Sequence, residues 1–286
     1  MSQILLLGRI YNFYSWGDCK MKKYEAGFIG AGNMGGALAL AVLKKVSGDV
    51  VALSCSSKES SEAKAEKLGC RAAEAEEILS SSRYVFLGIK PQMARSVIRG
   101  LEASVHDSDA VFVSMIAGVS LESLAEMLGA DRKIIRIMPN TACAVGQGVV
   151  LICANANVSD KDLTDFEAIM ECSGMTDRID EKLIDAASAV SGCGPAYAYM
   201  FIEALADGAV KCGLPRAKAI RYAAQMLIGS AEMTLKSGKH PELLKDEVCS
   251  PGGSTVAGVA ELEEHAFRSA CIAAVSAAYE KTKKLG

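Results

Sequence analysis

The chain has 286 residues, of which 50% are hydrophobic and 6% aromatic, and a formal net charge of −3. That length holds one large domain or two ordinary ones. The charge supplies no basic field for nucleic acid, and no apolar run reaches the ~20 residues needed to cross a bilayer.

Residues 1–20, "MSQILLLGRIYNFYSWGDCK", carry an apolar run too short for a signal peptide, with no basic residue before it. They read as a poorly ordered N-terminal extension, an edge strand or oligomer arm being the alternative. Ten cysteines, at 19, 55, 70, 143, 153, 172, 193, 212, 249 and 271, form no C-x-x-C pair. Scattered through apolar and Ala-rich runs, they read as small hydrophobes in a reducing, cytoplasmic setting. His106, His240 and His265 have no metal-ligand spacing, so no metal site is expected.

The first organised stretch is "YEAGFIGAGNMGGALALAVLKK". Ala26–Ile29 predicts a strand, and a helix begins within "NMGGALALAVL". Between them Gly30, Gly32 and Gly35 fit G-x-G-x-x-G in the strand–loop–helix context that this motif requires. Gly30 suits a tight turn, Gly32 admits a pyrophosphate close to the backbone, and Gly35 lets helix and strand pack closely. The loop Ile29, Gly30, Ala31, Gly32, Asn33, Met34, Gly35 is therefore a candidate dinucleotide cradle.

A second strand is expected over Asp49–Cys55. An NAD-preferring site carries Asp or Glu at its end to hold the ribose 2′-hydroxyl. Here Ser56, Ser57 and Lys58 stand instead, with Glu59 immediately after. Hydroxyls and an ammonium without a carboxylate favour NADP(H), and the same residues also suit a solvated turn that caps the next helix. Further strands are expected at Tyr84–Pro91, at Ala110–Gly118 and in two runs within Lys133–Cys153, with helices between. This alternation predicts a doubly wound α/β sheet. Ligands gather at the carboxyl ends of such strands, which adds Ile89, Lys90 and Pro91, and Met115, Ile116 and Ala117, to the cofactor candidates. Asn140 and Thr141 read as turn formers.

From about Asp180 strands vanish. The expected division is therefore a Rossmann-type NADP-binding domain over 21–179 and an all-α dimerisation and substrate domain over 180–286. Pro195, Pro215 and Pro241 fall at helix starts, and Gly213 and Gly238 at helix ends. Two long helices are apolar on more than one face, which predicts self-association. The helical pattern breaks at "VCSPGGSTVAG": Pro and Gly stop a helix, Ser and Thr start one, and a helix N-terminus attracts anions.

Five stretches in order, "GFIGAGNMGG", "LGIKPQ", "IRIMPNTACAVGQG", "SGCGPAYAY" and "LKDEVCSPGGSTVAGVAELE", resemble the pyrroline-5-carboxylate reductases. The first is shared by many dehydrogenases; the last two together are specific. Cys193 stands where that family often has Ser, Ala142 where it often has Pro, and Ser254 where Thr or Ala is usual. The resemblance runs from about Lys23 to the C-terminus. It implies a Rossmann domain followed by helices that interlock two subunits, with dimers assembling further, often to decamers. It also implies reduction of the cyclic imine 1-pyrroline-5-carboxylate to L-proline by NADPH or NADH, the last step of proline biosynthesis. On that likeness Thr255 touches the substrate and is the candidate catalytic residue. Ser250, Gly252, Gly253, Ser254 and Thr255 are the candidate substrate-binding residues, and Ser191 to Pro195 shape the far wall of the pocket. Two other functions stay open. One is another NADP-dependent imine or hydroxyacid oxidoreductase, for which Lys211 would be the catalytic lysine. The other is a non-catalytic NADP-binding regulator.

Overall fold

The computed structural model of the chain describes residues 22–284; the expected extension over residues 1–20 lies outside them. Strand and helix alternate first. β1 (Tyr24–Ile29) leads into α1 (Asn33–Leu43), β2 (Val51–Ser54) into α2 (Lys58–Leu68), and a short β3 (Arg71–Ala72) into α3 (Ala75–Ser81). β4 (Ser82–Leu87) is followed by α4 (Ala94–Gly100) and α5 (Glu102–Asp107), and β5 (Val111–Ser114) by α6 (Leu121–Leu128). β6 (Lys133–Pro139) and β7 (Gly148–Ala154) precede α7 (Asp160–Met170) and β8 (Gly174–Arg178). Six helices follow: α8 (Glu181–Ser191), α9 (Gly194–Lys211), α10 (Arg216–Ser237), α11 (Pro241–Val248), α12 (Ser254–Glu264) and α13 (Phe267–Thr282).

The strands form one sheet in the order β3-β2-β1-β4-β5-β6-β7-β8. β1 to β6 are mutually parallel, β7 is antiparallel to β6, and β8 is parallel to β7. The fold is therefore the expected doubly wound sheet with helices, extended by a reversed edge. The reversal follows from connection length. Only residues 140–147, built around the turn Thr141–Val145, separate β6 from β7, and a parallel return needs a crossover of a dozen or more residues. Strands are also shorter than the apolar runs suggest. The expected Asp49–Cys55 strand opens as a 3-10 turn over Gly48–Val50, and the one from Tyr84 stops at Leu87, before Gly88.

Side chains alternate across β1, so that Ala26 and Phe28 face one side and Gly27 and Ile29 the other. On the first side Phe28 stacks on Phe86 with ring centroids 4.4 Å apart, among Leu38, Phe166 and Met170. On the second, Ile78, Leu79, Phe112 and Leu124 fill the layer beneath α3 and α6. Each such side chain contributes about 1.5–3 kcal/mol through burial. α3 crosses β1 closely because residue 27 is glycine: a Cβ there would lie 2.4 Å from Ile78 Cγ2.

One buried cation joins the sheet to the helical half. Arg136 on β6 is 2% exposed. Its guanidinium donates to Glu181 Oε1 at 2.9 Å and to Asp185 Oδ1 at 2.6 Å, two residues one turn apart on α8. Glu181 Oε1 also accepts from Leu121 N at 2.6 Å. Without these carboxylates the buried guanidinium would be uncompensated, so the pair fixes where α8 sits on the sheet. Beyond α8 the packing opens out. α9 pairs with α10 and α13 returns to α8, while Met200, Leu235 and Ile272 stay 69%, 81% and 68% exposed in the single chain.

Candidate active site

Backbone hydrogen bonds string the carboxyl ends of four strands together. Gly30 N donates to Ser54 O at 2.8 Å, Gly88 N to Ile29 O at 2.8 Å, and Met115 N to Leu87 O at 3.3 Å. Strand order reverses between β1 and β4, the place where an open α/β sheet forms a ligand crevice. Glycine is needed on both sides of it. Gly30 has φ +87°, a Cβ on it would lie 2.5 Å from Gly88 O, and one on Gly88 would lie 2.1 Å from Gly30 O.

Gly32 faces open space, with nothing within 4 Å of the position of a Cβ. It begins α1 with no side-chain cap. The N–H groups of Asn33, Met34 and Gly35 therefore have no acceptor inside the helix, and the helix dipole adds partial positive charge. An uncapped helix start under open space, walled by touching backbones, fits the phosphates of a dinucleotide.

The other predicted cofactor residues gather on this edge in different ways. Ile29, Ala31 and Ile116 bury their side chains in the core and present only backbone. Gly32, Asn33 and Lys90 are exposed, while Met34, Ile89, Pro91, Met115 and Ala117 are partly buried. Ser56, Ser57 and Lys58 are exposed at the start of α2, where Ser57 Oγ accepts from Ser60 N at 3.2 Å as the helix cap. Glu59, which follows directly in the sequence, stands in the first turn of α2. Glu59 accepts from its own backbone N–H and from the Ser57 hydroxyl, which hold its carboxyl below the usual range. It fills the anion-attracting end of α2 with the protein's own charge.

The break in the helical half has the same form as the dinucleotide loop. Gly252 has φ +67°, and a Cβ on Gly253 would strike Ser250 Oγ at 2.4 Å. Gly253 N donates to Ser250 O at 3.0 Å, and Gly253 then begins α12 with no side-chain cap. Among the described residues, α1 and α12 are the two α-helices whose N-cap residue is glycine. α12 thus offers the N–H groups of Ser254, Thr255 and Val256. Ser250, Gly252, Ser254 and Thr255 are exposed in the single chain, and α12 packs on α13.

Asn140 was expected as a turn former; its side chain does something else. It caps nothing in the Thr141–Val145 turn. Nδ2 donates to Ser191 O at 2.9 Å, and Oδ1 accepts from Val149 N at 3.4 Å. The carboxyl end of β6 is thereby bound to the last residue of α8, at the junction Ser191–Pro195 between α8 and α9.

The pyrroline-5-carboxylate reductase of Escherichia coli is 43% identical to this chain over 266 residues, covering 91% of the chain and 98% of that enzyme. The chain belongs to the pyrroline-5-carboxylate reductase family. The family model for pyrroline-5-carboxylate reductase dimerisation matches residues 181–285. A second model, NADP oxidoreductase coenzyme F420-dependent, matches residues 25–118. The Arabidopsis thaliana reductase is 36% identical over 267 residues, with 92% of this chain and 96% of that one covered. Among solved structures, the Plasmodium falciparum pyrroline carboxylate reductase with NADP bound superposes with a TM-score of 0.84 at 34% identity, covering 93% of this chain and 100% of that one. The Streptococcus pyogenes 1-pyrroline-5-carboxylate reductase gives 0.83 at 35% identity, covering 91% and 98%.

The fold of these reductases is thus the two-part arrangement expected from the sequence. The dimerisation match falls on the helices whose apolar side chains are exposed in one copy. Lys211, the lysine of the hydroxyacid-dehydrogenase alternative, is exposed in the last turn of α9. Gly88 and Asn140 escaped the sequence reading as site residues. Gly88 was visible as the glycine of "LGIKPQ"; the partner of Asn140 lies 51 residues away, and nothing local announces it. Among the described residues no group of three or more His, Cys, Asp and Glu has metal-binding placement, and no helix is long and apolar enough to cross a membrane.

Proposed function

We propose that this chain reduces 1-pyrroline-5-carboxylate to L-proline with NADPH, NADH being the weaker donor. The observation that carries this reading is the 43% identity to a named reductase over 91% of the chain, supported by the two helices, α1 and α12, that begin behind an N-cap glycine. The bound nicotinamide supplies hydride to the imine carbon.

The chain's own residues do the rest. The first-turn N–H groups of α1 and the Gly30–Gly35 loop hold the pyrophosphate, and the turn Ser56–Lys58 receives the adenosine ribose. Ile89–Pro91 and Met115–Ala117 line the crevice beyond β4 and β5. The substrate carboxylate is an anion, and α12 begins with N–H groups that have no other acceptor. Thr255 N and its neighbours bind that carboxylate, with the Thr255 hydroxyl hydrogen-bonding the ring nitrogen. An imine becomes far more electrophilic once protonated, and water near neutral pH supplies that proton, so no strong acid side chain is required. Orientation of ring and donor is then the protein's main contribution. Ser191–Pro195 close the far wall under the control of Asn140.

Thr255 is exposed in one copy, which suits a pocket completed when the helical domains of two copies interlock. The functional form is a dimer, assembled further to a decamer, in the cytoplasm. A formal charge of −3 makes nucleic acid an unsuitable partner. The test is NADPH oxidation with DL-pyrroline-5-carboxylate, with the product identified chemically. Formation of proline supports the reading; tight NADPH binding without turnover on this imine redirects it to another imine or carbonyl.

A further inference from the structure

We propose that Lys64 sets the dinucleotide preference: its ammonium provides positive charge to the phosphate on the adenosine ribose of NADP(H), a group that NAD(H) lacks. The inference rests on the reading of Gly30–Gly35 as the dinucleotide loop.

Lys64 lies in "KESSEAKAEKL", which as a sequence is an ordinary solvated helix. Its placement is not ordinary. The position of a Cβ on Gly36 lies 3.0 Å from Lys64 Nζ, 3.1 Å from its Cε and 4.0 Å from Ala31 O. The ammonium therefore lies over Gly36 on the first turn of α1, in space left open because residue 36 has no side chain. It is partly buried and forms no hydrogen bond or ion pair among the described residues. Its own helix offers no acid at the right spacing. Ser60, Ser61, Lys67 and Leu68 occupy the positions three and four away, while Glu62 and Glu66 are two away and point elsewhere.

Direction separates the ribose phosphate from the pyrophosphate. The pyrophosphate is met along the axis of α1 by its first N–H groups. Lys64 approaches α1 from the side, out of α2. A helical lysine also leans toward its own N-terminus, here toward Ser56, Ser57 and Lys58. The turn itself carries the Lys58 ammonium, the Glu59 carboxylate and two serine hydroxyls, and Lys64 stands seven residues past Ser57, two turns along the same side of α2. Lys64 offsets Glu59, and the net positive charge favours the phosphorylated ribose.

The test uses the full-length protein and ligand binding rather than turnover. Dissociation constants are measured by calorimetry for NADPH and NADH, and for 2′,5′-ADP and 5′-AMP, which lack the pyrophosphate. Lys64→Met should weaken NADPH and 2′,5′-ADP by about tenfold, the scale of one lost hydrogen bond to a charged group. NADH and 5′-AMP should stay within about twofold, and Lys64→Arg should recover most of the loss. Gly36→Ala, which suits a helix better than glycine, should displace the ammonium and give the same pattern more weakly. Equal losses for NADPH and NADH would assign the charge to the pyrophosphate and overturn the proposal, as would no loss for either. If wild type binds neither dinucleotide, it is the reading of the loop itself that fails.

Discussion

Asn140 Nδ2 donates to Ser191 O at 2.9 Å, fixing the end of a sheet strand to the last residue of α8, just ahead of α9. The bond is an unusual use of the residue. A turn-forming Asn satisfies its own neighbours, whereas this one is buried and spans the two halves of the chain. Asn140→Ala leaves Ser191 O and Val149 N without their side-chain partner. The expected result is a rise in KM for the imine of about fivefold to tenfold, the scale of one buried hydrogen bond. NADPH affinity should change by less than about twofold. Asn140→Asp keeps the acceptor and loses the donor, so it should behave like Asn140→Ala. Steady-state kinetics beside an NADPH titration check this; equal damage to both ligands would make Asn140 a general stabiliser.

Thr255 carries a different expectation. It stands on the first turn of α12, where its N–H and hydroxyl both lack partners among the described residues. Thr255→Ala removes the hydroxyl and keeps the helix start. kcat/KM for the imine should fall by about tenfold or more, the scale of a hydrogen bond to a charged group. Thr255→Ser should retain most activity. Unchanged kinetics in Thr255→Ala would end the assignment.

Much of this site is legible in the sequence, and the limits have physical causes. The Gly30–Gly35 loop is readable because glycine chemistry and the change from strand to helix coincide within a few residues. The SPGGST break is readable for the same reason. β8 and β3 are not: β8 is an edge strand whose "GMTDR" is mostly exposed, and β3 has two residues, so neither shows an apolar run. The reversal at β7 is set by a short turn between two equally apolar runs. Asn140 and Lys64 acquire their roles from neighbours distant in sequence. Glu59 folds back onto its own helix start, which spacing alone left undecided.

The exposed apolar side chains of α10 predict assembly. Tyr222, Met226 and Met233 fall close to one helical face, with exposures of 56%, 45% and 56%. Burying such a stripe between copies drives association. Met226→Asp with Met233→Asp should shift the protein toward monomers in sedimentation velocity and lower activity in proportion. A variant that keeps the wild-type mass would remove this face from the interface.

Acid should loosen the fold at a defined place. Asp162 is partly buried, which pushes its carboxyl up, but hydrogen bonds from Lys133 Nζ at 2.9 Å and Ser159 Oγ at 2.7 Å outweigh burial and hold it below 3.8. Asp165 behaves alike, with burial opposed by Lys161 and Arg83. A carboxylate depressed in the folded state stabilises it fully above the unfolded value and loses that contribution as pH falls through the folded one. Asp162→Asn should therefore lower Tm at pH 7, and the gap to wild type should close below about pH 3.8. Parallel Tm curves across that range would contradict the assignment.

The most direct test of the central claim follows the hydride. NADPH carrying deuterium at both C4 positions of the nicotinamide is incubated with the protein and 1-pyrroline-5-carboxylate, and the product is read by mass spectrometry and NMR. The account predicts L-proline with one deuterium on Cδ, the carbon of the former imine. Oxidation of the cofactor without labelled proline, or no oxidation by a protein that binds NADPH, would contradict it.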